Sequence, residues 1–243
     1  LAYLKDKGRI NGHVEAVFCD TGWEHEETYK FVQYVNDTIY PVTTIRTDKY
    51  DGFPGLVEKR GFPSRIRKFC TQELKVFPFQ TYIDKYPTSR VINVQGIRRD
   101  ESAKRSSRQN LEVDPGGYLI WNPILNWTEQ MVFDFIRDAG FEVNPLYAKG
   151  AKRVGCWPCI FSNKDEIYQV YKENHSNLDI IRRLEQKHSI TKGIKVGMFY
   201  RNREVCQIDE VIEWSKTKYG GKELRDEEIE PEATICEGEG FCE

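Results

Sequence analysis

Three cysteines carry the most chemistry in this sequence. Cys156 and Cys159 form a Cys-x-x-Cys pair in Arg153-Val154-Gly155-Cys156-Trp157-Pro158-Cys159, and 85 residues separate Cys70 from Cys156. The Trp157-Pro158 step allows a tight turn that aims both sulfurs at one centre. Thiolate sulfur is a soft ligand, suited to zinc or an iron–sulfur cluster, and it is also a nucleophile. Each cysteine follows a run of cations: Lys59, Arg60, Arg65, Arg67 and Lys68 lead into Cys70, while Lys149, Lys152 and Arg153 lead into Cys156. Neighbouring cations lower a thiol pKa, so thiolate is the expected form. The same cations suit phosphate or sulfate. Soft sulfur beside an anion site points to sulfur or nucleotide chemistry.

A second anion-binding candidate is the loop Gly96-Ile97-Arg98-Arg99-Asp100-Glu101-Ser102, with Lys104, Arg105 and Arg108 just beyond. Guanidinium groups bind phosphate bidentately, and serine hydroxyls add neutral donors. Asp20-Thr21-Gly22 offers a carboxylate, a hydroxyl and exposed backbone where an apolar run ends. Nucleotide recognition is one use of such a turn, and a plain turn is the other. Cys19 and Cys206 read as small core residues. Cys236 and Cys242 lie in a Gly- and Glu-rich tail, from which a thiol could reach a site.

These residues need a scaffold. The chain has 243 residues, is 39% hydrophobic and 30% charged, and carries a net charge of −2. That composition suits a soluble globule with a core, and it gives no general affinity for nucleic acid or membranes. No apolar run approaches the roughly 20 residues of a spanning helix. Seven unevenly spaced cysteines argue against an extracellular disulfide framework, so a cytoplasmic setting is expected.

Short apolar runs at 14–19, 41–46, 91–96 and 118–122 read as strands. Helices are expected over 26–36, 53–59, 71–85 with a kink or break at Pro78, 128–139, 163–173, 178–187 and 204–218, and the first seven residues read as a helix tail. Strands alternating with helices imply a doubly wound, mostly parallel α/β sheet, followed by a mainly helical part. In open parallel sheets ligands sit at the carboxyl ends of strands, which places both Asp20-Thr21-Gly22 and the Arg98 loop at one crevice. The expected division is an α/β nucleotide-binding domain at 1–162, a helical extension at 163–222 and an acidic tail at 223–243.

Taken together, the motifs resemble the phosphoadenosine phosphosulfate (PAPS) reductase family of the adenine nucleotide α-hydrolase superfamily. Asp20-Thr21-Gly22 followed by Glu27-Thr28-Tyr29 looks like its strand-end motif. Cys70 with Leu74-Lys75 and Pro78 is similar to its Cys-x-x-x-Leu-Lys-x-x-Pro segment. Gly96, Arg98, Glu101, Ser102 and Arg105 resemble its arginine loop. Pro123 with Trp127, then Asn144-Pro145-Leu146-Tyr147 and Gly155-Cys156-Trp157-Pro158-Cys159, complete the order.

The resemblance implies a Rossmann-like fold and an adenylyl substrate: PAPS or adenylyl sulfate in reductases, ATP in sulfur-transfer relatives. It implies nucleotide or anion binding by Asp20, Thr21, Gly22, Arg65, Arg67, Gly96, Arg98, Arg99, Glu101, Ser102, Arg105, Lys152 and Arg153. A [4Fe–4S] cluster would take Cys70, Cys156 and Cys159, with Cys206, Cys236, Cys242 or an exogenous group as fourth ligand; zinc is the alternative metal. In the reductase reading Cys242 or Cys236 is the nucleophile and a thioredoxin-like protein the reductant. In the sulfur-transfer reading a cysteine desulfurase supplies sulfur, and DNA or tRNA accepts it. A noncatalytic zinc module binding nucleic acid is the third reading. A homodimer fits any of them.

Three departures stand out. The family's Ser-Gly-Gly-x-x-Ser phosphate loop is missing and is expected upstream of Leu1. The Glu-Cys-Gly-x-His tail motif is absent. The Cys-Cys pair of many adenylyl-sulfate reductases is Phe69-Cys70 here.

Overall fold

The structure is a computed structural model and describes residues 8, 12–173, 176–218 and 225. The helix tail expected at the first seven residues, and Cys236 and Cys242 of the acidic tail, lie outside the described residues. The chain separates into two compact units, Leu1–Cys159 and Ile160–Glu243.

In the first unit β1 (Ala16–Cys19) precedes α1 (Glu26–Tyr34), whose N-terminus is capped by the His25 side chain accepting from the Glu27 N–H. β2 (Val42–Ile45) returns beside β1 in parallel, with Ala16 opposite Val42 and Cys19 opposite Ile45. A parallel pair needs a crossover, and α1 supplies it. α2 (Gly52–Arg60) follows; its Phe53, Leu56 and Val57 are buried. Burying each such side chain contributes about 1.5–3 kcal/mol.

Helical backbone then runs unbroken through residues 69–83, as α3 (Phe69–Thr71), a π-helical turn (Gln72–Val76) and α4 (Phe77–Ile83). The sequence predicts a kink or break at Pro78, and the helical backbone instead passes through it. Proline lacks an N–H and crowds the carbonyl four residues back. The π turn resolves the conflict, since the Phe77 N–H reaches back to the Gln72 carbonyl and Pro78 falls in the first turn of α4, where no N–H is needed.

β3 (Ile92–Val94) leads into the arginine loop, which contains a 3-10 turn and the short α5 (Ala103–Ser106). β4 (Leu111–Val113) and β5 (Leu119–Trp121) follow. β5 is central: parallel to β3, antiparallel to β4. α6 (Glu129–Asp138) starts at the Thr128 cap and stops before Gly140, and α7 (Pro145–Ala148) starts at the Asn144 cap. This is the expected α/β fold with parallel strand pairs. Among the described residues, β1 and β3 belong to separate hydrogen-bonded sheets.

The second unit opens with α8 (Lys164–Lys172), where Asn163 and Glu166 form a capping box. α9 (Asn177–Lys192) ends at Gly193 in left-handed conformation. The helix expected from residue 204 onward is instead β7 (Glu204–Cys206), paired with β6 (Phe199–Arg201), and then α10 (Ile208–Ser215). Asn202 and Arg203 both take positive φ in the two-residue turn, the conformation that tight hairpins favour. Cys206 is therefore a strand residue. The core is built by Ile167, Val170, Ile181, Leu184, Met198, Ile208 and Ile212. No helix among the described residues is long and apolar enough to cross a membrane.

Candidate functional site

Parallel pairing of β1 with β2 carries the chain into a turn at Asp20, whose N–H donates to the Ile45 carbonyl at 2.9 Å. Asp20 Oδ1 accepts from the Gly22 N–H at 2.7 Å and from the Tyr29 hydroxyl at 2.9 Å. Gly22 has a φ of +63°, and Gly52, opposite it, has +60°. The Phe53 N–H donates to the Thr21 carbonyl at 2.8 Å, tying the turn to the start of α2. The backbones approach so closely here that a Cβ on Gly52 would lie 2.7 Å from the Thr21 oxygen.

Glu24 organises this turn from within. Its carboxylate is buried and accepts from the Thr21 N–H at 3.2 Å, the Thr21 hydroxyl at 2.8 Å and the Trp23 N–H at 3.3 Å, while the Tyr29 hydroxyl, whose one hydrogen goes to the nearer Asp20, lies 3.2 Å away. The Lys75 ammonium lies 3.7 Å from Glu24 Oε1. Burial, reinforced by the Asp20 hydrogen bond, raises the Tyr29 pKa.

The Cys-x-x-Cys loop docks on the same turn. The Trp157 N–H donates to the Trp23 carbonyl at 2.8 Å, and the Trp23 indole N–H donates to the Pro158 carbonyl at 3.0 Å. Cys156 Sγ comes within 3.7 Å of Thr21 Oγ1. Burial pushes the Cys156 thiol up to about 12, although Lys75 pulls the other way. Burial also raises Cys70, and the neighbouring Cys159 adds to that. The sequence-based expectation of thiolate at Cys70 and Cys156 is thus corrected: loss of hydration outweighs the nearby cations.

Cysteine sulfurs are the donor type for zinc or an iron–sulfur cluster. Among the described residues, however, no three His, Cys, Asp or Glu side chains converge as a metal-binding group.

The arginine loop is internally paired. Arg98, mostly shielded from solvent, lies 3.2 Å from Asp100 and 3.9 Å from Glu101; Glu101 also pairs with Arg105. Arg99 donates to Asn126 at 2.8 Å and to the Ser106 carbonyl, which makes it a brace for the loop. Ser102 caps α5 by accepting from the Arg105 N–H at 3.3 Å. Gly96 is exposed ahead of the loop, and Arg65, Arg67, Lys152 and Arg153 lie at the surface. The structure therefore brings together Asp20, Thr21, Gly22 and Cys156, with Cys159 close enough to influence Cys70 and Cys156 electrostatically. Glu24 stands outside the sequence motifs, and Tyr29 and Lys75 stand within them with no role assigned. The spacing alone does not single out Glu24, because Glu26 and Glu27 follow Thr21 almost as closely and the fold selects the acid that turns inward.

The phosphoadenosine phosphosulfate reductase domain profile matches residues 2–162. The chain belongs to that family. An uncharacterized 37.8 kDa protein of Escherichia phage 186 is 30% identical over 208 residues, 64% of this chain and 62% of that protein. The adenosine 5′-phosphosulfate reductase of Deinococcus radiodurans is 29% identical over 147 residues, covering 60% of this chain and 56% of that enzyme. Two Methanocaldococcus jannaschii relatives are matched over only 40% and 43% of their length, so the chain spans well under two thirds of such proteins. The crystal structure of phosphoadenylyl-sulfate reductase from Candida auris, a phosphate complex, aligns with a TM-score of 0.50 at 20% identity, over 65% of this chain and 76% of that one. This likeness establishes the shared fold.

Proposed function

We propose that the first unit binds an adenylyl nucleotide beside the Asp20-Thr21-Gly22 turn and serves a reductase-like reaction in sulfur metabolism. The observation that carries this reading is the convergence of the strand-end turn, Lys75 and the Cys156 loop on Glu24. In open parallel sheets such strand ends are where ligands sit. Family membership and the adenosine 5′-phosphosulfate reductases among the relatives support it.

In this reading Arg98 and Arg105 exchange their intraloop carboxylates for the substrate phosphate, and Lys75 meets the transferring sulfo group. The Cys242 or Cys236 thiolate attacks the sulfonucleotide sulfur. The new S–S bond forms as the S–O bond to phosphate breaks, and the electron pair leaves with the nucleotide. A thioredoxin-like dithiol then attacks the resulting S-sulfocysteine, releases sulfite and ends as a disulfide.

The test is direct binding of adenylyl sulfate, PAPS and ATP, together with sulfite release in the presence of a dithiol protein. Arg98→Ala is expected to abolish nucleotide binding. Failure of all three nucleotides to bind the parent protein would overturn the reading.

A second reading, ATP-dependent sulfur transfer to DNA or tRNA, draws on the neighbouring thiols Cys70, Cys156 and Cys159. ATP binding without sulfite release would favour it. Iron, zinc and acid-labile sulfide on anaerobically purified protein would measure whether these thiols hold a cluster or zinc.

A further inference from the structure

A pocket of about 330 Å³ opens at the carboxyl end of β2 and is walled by α4. Ile45, Phe77 and Pro78 make its apolar floor. Arg46, Lys49 and Lys85 bring three cations to it, against one carboxylate from Asp48.

The three cations are not equivalent. Arg46 is engaged, 2.9 Å from Asp51 and 3.9 Å from Asp20. The Lys49 ammonium instead lies 5.4 Å above the Phe77 ring, and that of Lys85 lies 5.0 Å above the Tyr82 ring. Among the described residues neither lysine makes an ion pair. Glu15, the acid that feels Lys85, is already held by the Tyr82 hydroxyl and by His13. A cation resting on an aromatic face contributes only about 0.5–1 kcal/mol at an exposed site, so each ammonium is free to turn to a stronger partner. Thr47 Oγ1 accepts from the Lys49 N–H at 3.3 Å, which leaves its hydroxyl hydrogen available to donate.

We propose that this pocket binds a phosphate monoester no larger than a mononucleotide. Two ammonium groups and the Thr47 hydroxyl match the three terminal oxygens of a phosphate dianion, where a carboxylate offers only two. The ester body would lie on Ile45, Phe77 and Pro78. The volume stands at the small end of the ~300–1,000 Å³ range for ligand pockets. The site is distinct from the proposed nucleotide site, because Thr21, Cys156 and Arg98 do not line it. Arg46 is the one link between them, since its guanidinium lies against Gly22 and Gly52.

The experiment is an NMR titration of the Arg98→Ala protein, in which the proposed nucleotide site is silenced, with inorganic phosphate and with phenyl phosphate. Phenyl phosphate is expected to shift resonances of Thr47, Lys49 and Phe77, and to bind more tightly than inorganic phosphate. Lys49→Ala and Lys85→Ala are each expected to weaken binding about tenfold, and Lys49→Glu further still. Lys172→Ala, in the second unit, leaves it unchanged. No shifts up to about 10 mM ligand, unchanged affinity in the Lys49/Lys85 double variant, or preference for inorganic phosphate would overturn the proposal.

Discussion

Thr21 and Cys156, 135 positions apart in the chain, meet with Oγ1 3.7 Å from Sγ. The contact has a direction. A hydroxyl has one hydrogen, and that of Thr21 goes to Glu24 Oε1 at 2.8 Å. Thr21 is therefore the acceptor towards Cys156, and the thiol donates. Proton donation runs from Cys156 to Thr21 to Glu24, with Lys75 closing the chain on the carboxylate. A thiol whose pKa is about 12 is protonated at neutral pH, as this arrangement requires.

Thr21→Val keeps the shape and removes both hydrogen bonds. Glu24 then loses a hydroxyl donor inside a buried site. The expected loss is about 1–3 kcal/mol of unfolding free energy, read by urea denaturation. Thr21→Ser restores the hydroxyl and should recover most of it. Parental stability in Thr21→Val with a loss in Thr21→Ser would mean that the methyl group, and not the hydroxyl, matters.

Gly52→Ala tests the backbone contact behind the same turn. The added Cβ would sit 2.7 Å from the Thr21 carbonyl oxygen and 3.2 Å from Gly22 Cα, at a φ of +60°. Neither neighbour is a flexible side-chain tip that could yield cheaply. A cost of roughly 1–3 kcal/mol is expected from the strained conformation, more if the turn is displaced. Nucleotide binding should weaken together with stability, because Phe53 and Thr21 would lose their 2.8 Å hydrogen bond. A variant with parental stability would show that the two glycines can separate freely.

Arg99→Ala separates bracing from binding in the arginine loop. Arg99 reaches Asn126 and the Ser106 carbonyl, whereas Arg98 sits among Asp100 and Glu101. Loss of Arg99 should cost on the order of 1 kcal/mol and raise nucleotide Kd only modestly. A complete loss of binding, equal to that of Arg98→Ala, would make Arg99 a ligand contact as well.

Much of the frame was legible because β1, β2, α1 and α6 obey simple periodicity and carry clear stop signals such as Gly140. Clustered motifs identified the Asp20 turn and the Cys156 loop. Their meeting was less legible, since Glu24 lies among Trp23, His25 and Glu26 and only the fold selects which acid turns inward. Thiol ionisation was misread because sequence shows the neighbouring cations and not the burial of Cys156 and Cys70. The strand at Glu204–Cys206 is hidden in the sequence because Val205 and Ile208 also fit a helical stripe. The left-handed pair Asn202 and Arg203 decides for a hairpin, and of the two only asparagine signals that conformation readily.

Glu185 supplies a pH test of the second unit. It is 3% exposed on α9, and its carboxylate accepts from the Met198 N–H at 3.1 Å and the Ile208 N–H at 2.9 Å. Burial raises its pKa from 4.5 to about 7, against the opposing pull of those two hydrogen bonds. The folded state therefore holds a proton that the unfolded state gives up. Its contribution to stability is fully present below about 4.5 and is lost as pH rises towards about 7. The full swing is roughly 3 kcal/mol. Glu185→Gln retains an accepting oxygen and cannot ionise. Urea midpoints measured across this window should fall with rising pH in the parent and stay flatter in the variant, so that the variant gains on the parent towards neutrality. Parallel pH profiles would mean that the buried carboxylate is ionised throughout, held by the two backbone donors.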